Sequence, residues 1–313
     1  MKKSVYAFVL AMILVISATT ASSVAAGEKK IRIGVSYYSL AAEFLAQLRD
    51  SMDEHYRDRN LTGKVELLVL DAQGDANKQN DQVYNLISQG VDAIIIDPYD
   101  REQQVPAIEA SADAGIPIIE MNASTVSPMR TSYVGSDDIV SGRLLARELL
   151  RLSGGKGNII VIHGVAGQNS EVMRHAGLEE VLKDFPEAKV VAEKVCDWDR
   201  AKALAAVENF IQSGINFNIV FGENDEMALG ALVALENSGR RSGVFVGGVD
   251  AIPDALDAVK DGRLDCTVFQ NSAAQARKSL DVAIEAAEGK KIDAVYDIPY
   301  ELVTPANVNE YVK

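Results

Sequence analysis

At 313 residues and a formal charge of −14, the chain is too long for one comfortable core and too acidic to hold phosphate backbones or anionic membranes. Single cores stop growing at about 250–300 residues, and so negative a surface repels other polyanions. Two domains are expected, and a nucleic-acid partner is not.

Lys2 and Lys3 precede an apolar run from Val5 to about Ile16, after which small residues end in Ser23-Val24-Ala25-Ala26. This is the pattern of a secretory signal, residues 1–26, cleaved after Ala26. The run is too short, and its far flank too rich in Ser, Thr and Ala, for a membrane span. Cleavage removes only those two charges, moving the net charge from −14 to −16 and leaving 287 of the 313 residues. An exported chain is expected, with no lipid anchor, because the first cysteine is Cys196. Cys196, just after one predicted strand, and Cys266, within another, leave a disulfide and two buried thiols equally open readings.

From Ile31 onward, short Val/Ile-rich runs alternate with amphipathic helices, the signature of parallel sheets covered on both faces. Residues 31–36 read as the first strand, and Leu45, Leu48, Met52 and Tyr56 mark the buried stripe of its helix. A strand at 65–70 leads to a helix carrying Val83, Leu86 and Ile87 that Gly90 ends. A strand at 93–96 breaks at Asp97-Pro98, a helix through Ile108 and Ala112 ends at Gly115, and a strand at 117–121 breaks at Asn122. Residues 133–135 form one more strand, and Ser136-Asp137-Asp138 caps a helix with Ile139, Leu144, Leu145 and Leu149.

The turn Gly154-Gly155-Lys156-Gly157 restarts the pattern. Strands at 158–163, 190–195, 219–221 and 244–246 alternate with helices at about 170–185, 200–213 and 226–238, so a second lobe of the same kind is implied. A helix near 255–260, a strand at 264–269, a helix at 273–288 and a β-rich end at 296–303 remain. No Gly/Ser- or Pro-rich linker separates the halves. Residues 133–135, 267–270 and 297–301 are candidates for segments that cross between lobes, and parallel crossings make a hinge. The fold class expected is α/β, with two Rossmann-like lobes: residues 27–135 plus 271–299, and residues 136–270 plus 300–313.

In open parallel sheets, ligands bind at the carboxyl ends of strands. The stretch Asn218–Leu235 places Asn224 there, between an apolar run and a helix start, where an N-cap role competes with ligand contact. Catalytic readings fail one by one. Gly155-Lys156-Gly157-Asn158 lacks the hydroxyl residue of a phosphate loop and precedes a strand. The loop 164–170 lacks the full dinucleotide fingerprint, and Ser170 is in no nucleophile-elbow pattern. His55, His163 and His175 show no metal-ligand spacing and read as surface or packing residues. Asp197-Trp198-Asp199 is better explained by Asp199 capping the next helix than by an acid–base pair.

These loops together resemble the type I periplasmic sugar-binding proteins of ABC importers, most closely the ribose-binding type, over essentially the whole mature chain. The specific pieces are Asn224-Asp225-Glu226-Met227-Ala228-Leu229-Gly230-Ala231, Asp197-Trp198-Asp199-Arg200, Gly247-Gly248-Val249-Asp250, Asp97-Pro98 and Tyr133-Val134-Gly135-Ser136-Asp137. The resemblance implies a three-segment hinge, a periplasmic location and no cofactor. It places Ser36 at the first strand end in the cleft, Phe44 and Trp198 as an aromatic pair stacking on a sugar ring, and Asn224, Asp250 and Gln270 as the polar set fixing hydroxyls.

Departures from the ribose pattern matter as much. An Asp-Arg pair is replaced by Asn122-Ala123, a second ligand arginine falls near Val172 while its neighbour Arg174 is expected to point elsewhere, and Val249 replaces an aromatic. Glu43 arrives in Ala41-Ala42-Glu43-Phe44, as a ligand acceptor or as a solvated carboxylate favoured by the helix dipole. Losing two guanidinium forks at about 1–3 kcal/mol per unpaired partner disfavours ribose. The expected ligand is another monosaccharide or sugar alcohol, with an ABC permease as partner and the chain itself a monomer; the alternatives are a receptor for a chemoreceptor or sensor kinase, or a binder of a non-sugar solute such as a nucleoside or cationic solute. A repressor-type sensing module would need DNA-binding helices before Ile31, where the export signal stands. An exported enzyme is disfavoured because no acid, base or nucleophile set converges.

Overall fold

The computed structural model describes residues 29–312, so the predicted export signal lies outside the described residues. The first βα series runs β1 (Ile31–Tyr37), α1 (Glu43–Asp58), β2 (Val65–Asp71), α2 (Ala76–Ser88), β3 (Ala93–Asp97), α3 (Val105–Asp113), β4 (Ile118–Asn122) and β5 (Ser132–Gly135). The second runs α4 (Asp138–Leu152), β6 (Gly157–His163), α5 (Asn169–Leu182), β7 (Ala188–Val195), α6 (Arg200–Gln212), β8 (Ile219–Gly222), α7 (Asp225–Asn237), β9 (Phe245–Gly247), α8 (Pro253–Lys260) and β10 (Thr267–Phe269). The chain ends with α9 (Ser272–Ala287), β11 (Val295–Asp297) and β12 (Glu301–Val303).

One sheet has the order β2-β1-β3-β4-β5-β11, with every pairing parallel. The other has the order β7-β6-β8-β9, also parallel, and β10 pairs antiparallel with β12. The first strand of each series therefore sits second in its sheet, and the strand order then reverses direction. That reversal opens a crevice at the carboxyl edge of each sheet, the place where open α/β sheets in general hold ligands.

Both sheets are covered on both faces, which is why β3 and β4 are buried at every residue. In the first lobe Ile33, Val35, Leu45, Leu48 and Leu280 pack on one face, and Val83, Leu86, Ile94, Ile96 and Ile108 on the other. In the second, Ile160, Ile162, Val207 and Leu232 fill one side, and Leu145, Leu149, Val161, Leu178 and Val181 the opposite side. Each such aliphatic side chain contributes about 1.5–3 kcal/mol by leaving water. Helices α4 and α5 lie so close that a Cβ on Gly142 would come 2.2 Å from the backbone oxygen of Arg174.

The chain passes between the sheets three times: from β5 to α4, from β10 to α9, and from β11 to β12. The crossings are bonded to one another. Ile298 N donates to Gly135 O at 2.8 Å, and Gln275 Nε2 donates to Ser136 Oγ at 3.3 Å.

One expectation changes, and one open reading is resolved. The strand expected at 264–269 begins only at Thr267: Cys266 makes an isolated parallel bridge to Gly247, and at Asp265 the side chain replaces a backbone acceptor, its carboxylate accepting from Val246 N at 2.7 Å while its own N–H donates to Val246 O. Cys196 and Cys266 are free thiols buried in separate packing clusters, so the reading as two buried thiols holds. No described helix is long and apolar enough to cross a membrane.

Candidate ligand cleft

A cleft with about 500 Å³ of empty space, part of it open to solvent, lies between the lobes at the strand ends. Of the eight residues singled out from sequence, Glu43, Phe44, Asn122, Trp198, Asn224, Asp250 and Gln270 line it. Ser36 does not. The first strand runs one residue further than expected, and the fully buried Ser36 turns toward α2, where its hydroxyl donates to Gln82 Oε1 at 2.9 Å. Tyr38, two residues on, reaches the cleft instead.

The aromatic walls come from opposite lobes. Phe44, in the first turn of α1, lines the cleft and also packs into the first lobe's core, so it is not off the buried stripe as its spacing suggested. Trp198 follows β7 in a loop where both it and Asp197 have positive φ, +62° and +52°. Its indole packs against hydrophobic clusters of both lobes, and its Nε1 donates to Gln168 Oε1 at 2.5 Å. Gly164, at the end of β6, makes room for it: a Cβ there would stand 2.0 Å from the indole ring. Asp199 caps α6 by accepting from Lys202 N at 2.8 Å, as the cap reading required.

The polar floor is a connected network. Asn122 has φ +66° at the end of β4; its Nδ2 donates to Asp97 Oδ1 at 3.2 Å and its Oδ1 accepts from Gln270 Nε2 at 2.6 Å. Gln270 Oε1 accepts from Arg174 Nη2 at 3.0 Å. Arg174 is 3% exposed, donates through Nη1 to the Glu223 carbonyl at 2.5 Å, and holds Asp138 and Asp250 each 3.8 Å from Nη2. Asn224 caps α7, its Oδ1 accepting from Met227 N at 3.0 Å, and lines the cleft at the same time. Glu43 is exposed at the cleft mouth, where Gln47 Nε2 donates to it at 3.4 Å.

Burial sets the electrostatics. It pushes Asp250 well above the ordinary carboxylate range, against the opposing pull of Arg174. It raises Asp225, behind Asp250, to about 7, although Thr267 and the Ile252 N–H bond its carboxylate. Asp97 is raised to about 8 for the same reason, with Asn122 pulling the other way. Two flat hydrocarbon faces around forks of donors and acceptors suit a compact ring that carries several hydroxyls.

Arg174 corrects the sequence reading, which turned it away from the site. Only one of the two guanidinium forks is therefore missing, the one that Ala123 replaces. The signal was present: Ser170, Arg174, Leu178 and Val181 form the buried stripe of α5, and an arginine on such a stripe needs partners inside. Gln168 and Ser170 also line the cleft and were passed over, although their loop follows β6 as the Asn224 loop follows β8. His163 and His175, far apart in sequence and read as surface or packing residues, do pack: their rings come within 4.9 Å of each other, behind the cleft wall.

Residues 33–291 match the family described as periplasmic binding protein domain. A xylitol-binding protein of Mycolicibacterium smegmatis is 35% identical over 94% of this chain and 83% of its own length. The ribose import binding protein of Bacillus subtilis is 30% identical over 88% of each chain. Among solved structures, an ABC transporter solute binding protein from Bacillus halodurans C-125 with bound myo-inositol is 40% identical, covers 91% of this chain and 98% of its own, and superposes with a TM-score of 0.87. Two doubly wound lobes, a cleft at facing strand ends and a match over most of the sequence lead to one conclusion: the chain belongs to the periplasmic binding protein domain family.

Proposed function

We propose that this chain is the periplasmic solute-binding subunit of an ABC importer and that its ligand is a cyclic polyol, with myo-inositol the foremost candidate. The observation that carries this reading is the cleft itself: Phe44 and Trp198 stand on opposite lobes, over a floor in which Arg174, Asp250, Gln270 and Asn122 form one network. The 40% identical neighbour that binds myo-inositol supports it. Phe44 and Trp198 cover the ring's C–H faces, Asn224, Asp250, Arg174 and Gln168 bond its hydroxyls, and Glu43 accepts from a hydroxyl at the mouth. Asn122 and Gln270 bond each other and orient the set. Ser36 has no direct part.

Residues 27–135 plus 271–299 and residues 136–270 plus 300–313 act as the two jaws, and ligand contacts from both bias the population toward the closed form. The closed form is what the membrane subunits recognise. The solute leaves unaltered, so no chemistry is asked of the carboxylates.

The test is calorimetric titration of ligand-free protein with myo-inositol, xylitol and ribose. Myo-inositol is expected to bind one to one and most tightly, with ribose weaker by roughly tenfold or more, since one lost partner at 1–3 kcal/mol is worth about a factor of ten. Ribose as the tightest of the three, or no binding by any, contradicts the proposal.

A further inference from the structure

Behind the second-lobe wall of the cleft, five ionisable side chains meet: His163 at the end of β6, Glu171 and His175 on α5, Glu193 on β7 and Glu223 just after β8. They come from separate parts of the chain, so linear spacing shows no motif. His163 Nδ1 lies 3.0 Å from Glu223 Oε1 and 3.3 Å from Glu171 Oε1, while His163 Nε2 lies 2.8 Å from Glu193 Oε2.

Glu223 is fully buried, and one of its oxygens, Oε2, accepts from the Gly164 N–H at 2.8 Å. Its other oxygen, Oε1, has no hydrogen-bond partner among the described residues, and neither has Nδ1 of His163, which is 7% exposed. The two atoms face each other without forming an aligned bond. A carboxylate oxygen left this way in the interior is costly unless a cation lies against it, and the cation is either a protonated His163 or a bound metal ion.

The spacing is close to what a metal ion needs. Ligand atoms about 2.0–2.2 Å from a tetrahedral ion stand about 3.3–3.6 Å apart; Glu171 Oε1 lies within that range at 3.3 Å from His163 Nδ1, and Glu223 Oε1, at 3.0 Å, would move outward slightly on binding. A metal-bound imidazole ordinarily donates its other N–H to a carboxylate, which fixes the tautomer, and Glu193 stands at Nε2 in that position. One neutral imidazole with two carboxylates calls for a double positive charge, and a mixed nitrogen and oxygen set suits zinc-class ions better than calcium.

We propose that His163 Nδ1, Glu171 and Glu223 form a site for one divalent transition-metal ion of the zinc class, with Glu193 holding the imidazole in the binding tautomer. The ion would clamp β6, β8 and α5 together directly beneath Gly164 and Asn224, and so stiffen the wall that carries the second-lobe ligand contacts. A proton is its competitor. Burial lowers the pKa of His163, but the carboxylates of Glu171, Glu223 and Glu193 raise it further, to about 10.

The test is titration of tag-free, chelator-treated protein with zinc chloride at neutral pH, by calorimetry and by thermal denaturation. One equivalent is expected to bind at micromolar Kd or tighter and to raise the Tm. Glu171→Gln, at a partly exposed position that should fold normally, and Glu223→Gln should each weaken binding at least about tenfold, and Glu193→Gln by a similar factor. His175→Ala, outside the three-ligand set, should leave zinc affinity unchanged. Absence of saturable binding, or equal affinity in Glu171→Gln and the parent, overturns the site. So does loss of binding in His175→Ala with retention in Glu223→Gln. Myo-inositol binding by metal-free protein is measured separately, so failure here and failure of the ligand assignment are distinguishable.

Discussion

Trp198 is held from several sides: its indole N–H bonds Gln168, its face lies 5.6 Å from the Arg174 guanidinium, and its ring fills the space that Gly164 leaves. Gly164→Ala should therefore displace the indole and cost about 1–3 kcal/mol by overpacking. Trp198→Ala should weaken polyol affinity more than tenfold at a smaller cost in Tm; calorimetry and melting curves on the two variants check this. A second prediction concerns Asp97, whose pKa moves from 3.8 to about 8. Between those values the folded state keeps the proton that the unfolded state has lost, so stability falls as pH rises from about 4 to 8. Asp97→Asn stays neutral throughout and should flatten that slope, with Asp225 and Asp250, shifted the same way, leaving a remainder. Melting temperatures across that pH range decide it.

Residues that end strands were legible because a polar residue after an apolar run announces its place; Asn122, Asn224 and Asp250 were found so. Arg174, inside a helix, was legible only as a buried position on the stripe of α5; its aim into the cleft depends on which face of α5 meets α4, which the stripe does not give. The carboxylate and imidazole cluster was illegible for a stronger reason: β6, β8 and α5 bring it together only through strand order.

At the level of elements, α7 shows how one side chain can serve fold and site together. Asn224 Oδ1 caps the helix, and its amide nitrogen has no partner among the described residues. Asn224→Ala should cost about 0.5–2 kcal/mol of stability through the lost cap. Asn224→Ser keeps a capping oxygen and should keep stability within a few tenths of a kcal/mol, yet lose affinity with the amide donor. Denaturant melts and calorimetry on the pair separate the two roles; equal affinity losses without any stability difference would contradict it. Element order and type followed from periodicity nearly throughout, because buried parallel strands read as unbroken Val and Ile runs. Only at β10 did a side chain, Asp265, take over bonds that the pattern assigned to a longer strand.

For the whole molecule, the lobes also touch across the cleft mouth, where Arg101 N donates to Gly167 O at 3.2 Å. With three bonded crossings behind the cleft among the described residues, opening needs that contact broken and Trp198 parted from one lobe's cluster, with little else of either core disturbed. Ligand bound at a hundredfold excess over Kd should stabilise the protein by about 2.7 kcal/mol; a Tm that rises with the logarithm of myo-inositol concentration is the expected outcome, and a flat Tm is not compatible with capture between lobes. The two-lobed plan was legible, since each βα series repeats the other. How closely the jaws meet was not, because it rests on contacts such as Arg101 to Gly167 that no local pattern encodes.

Trp198 is the only tryptophan of the chain, so its fluorescence reports on the proposed ligand wall alone. Titration of ligand-free protein with myo-inositol should give a saturable change in emission at one equivalent, abolished by crowding the indole with Gly164→Ala. Emission that stays constant up to millimolar myo-inositol would contradict a cyclic polyol stacked on Trp198 between the lobes.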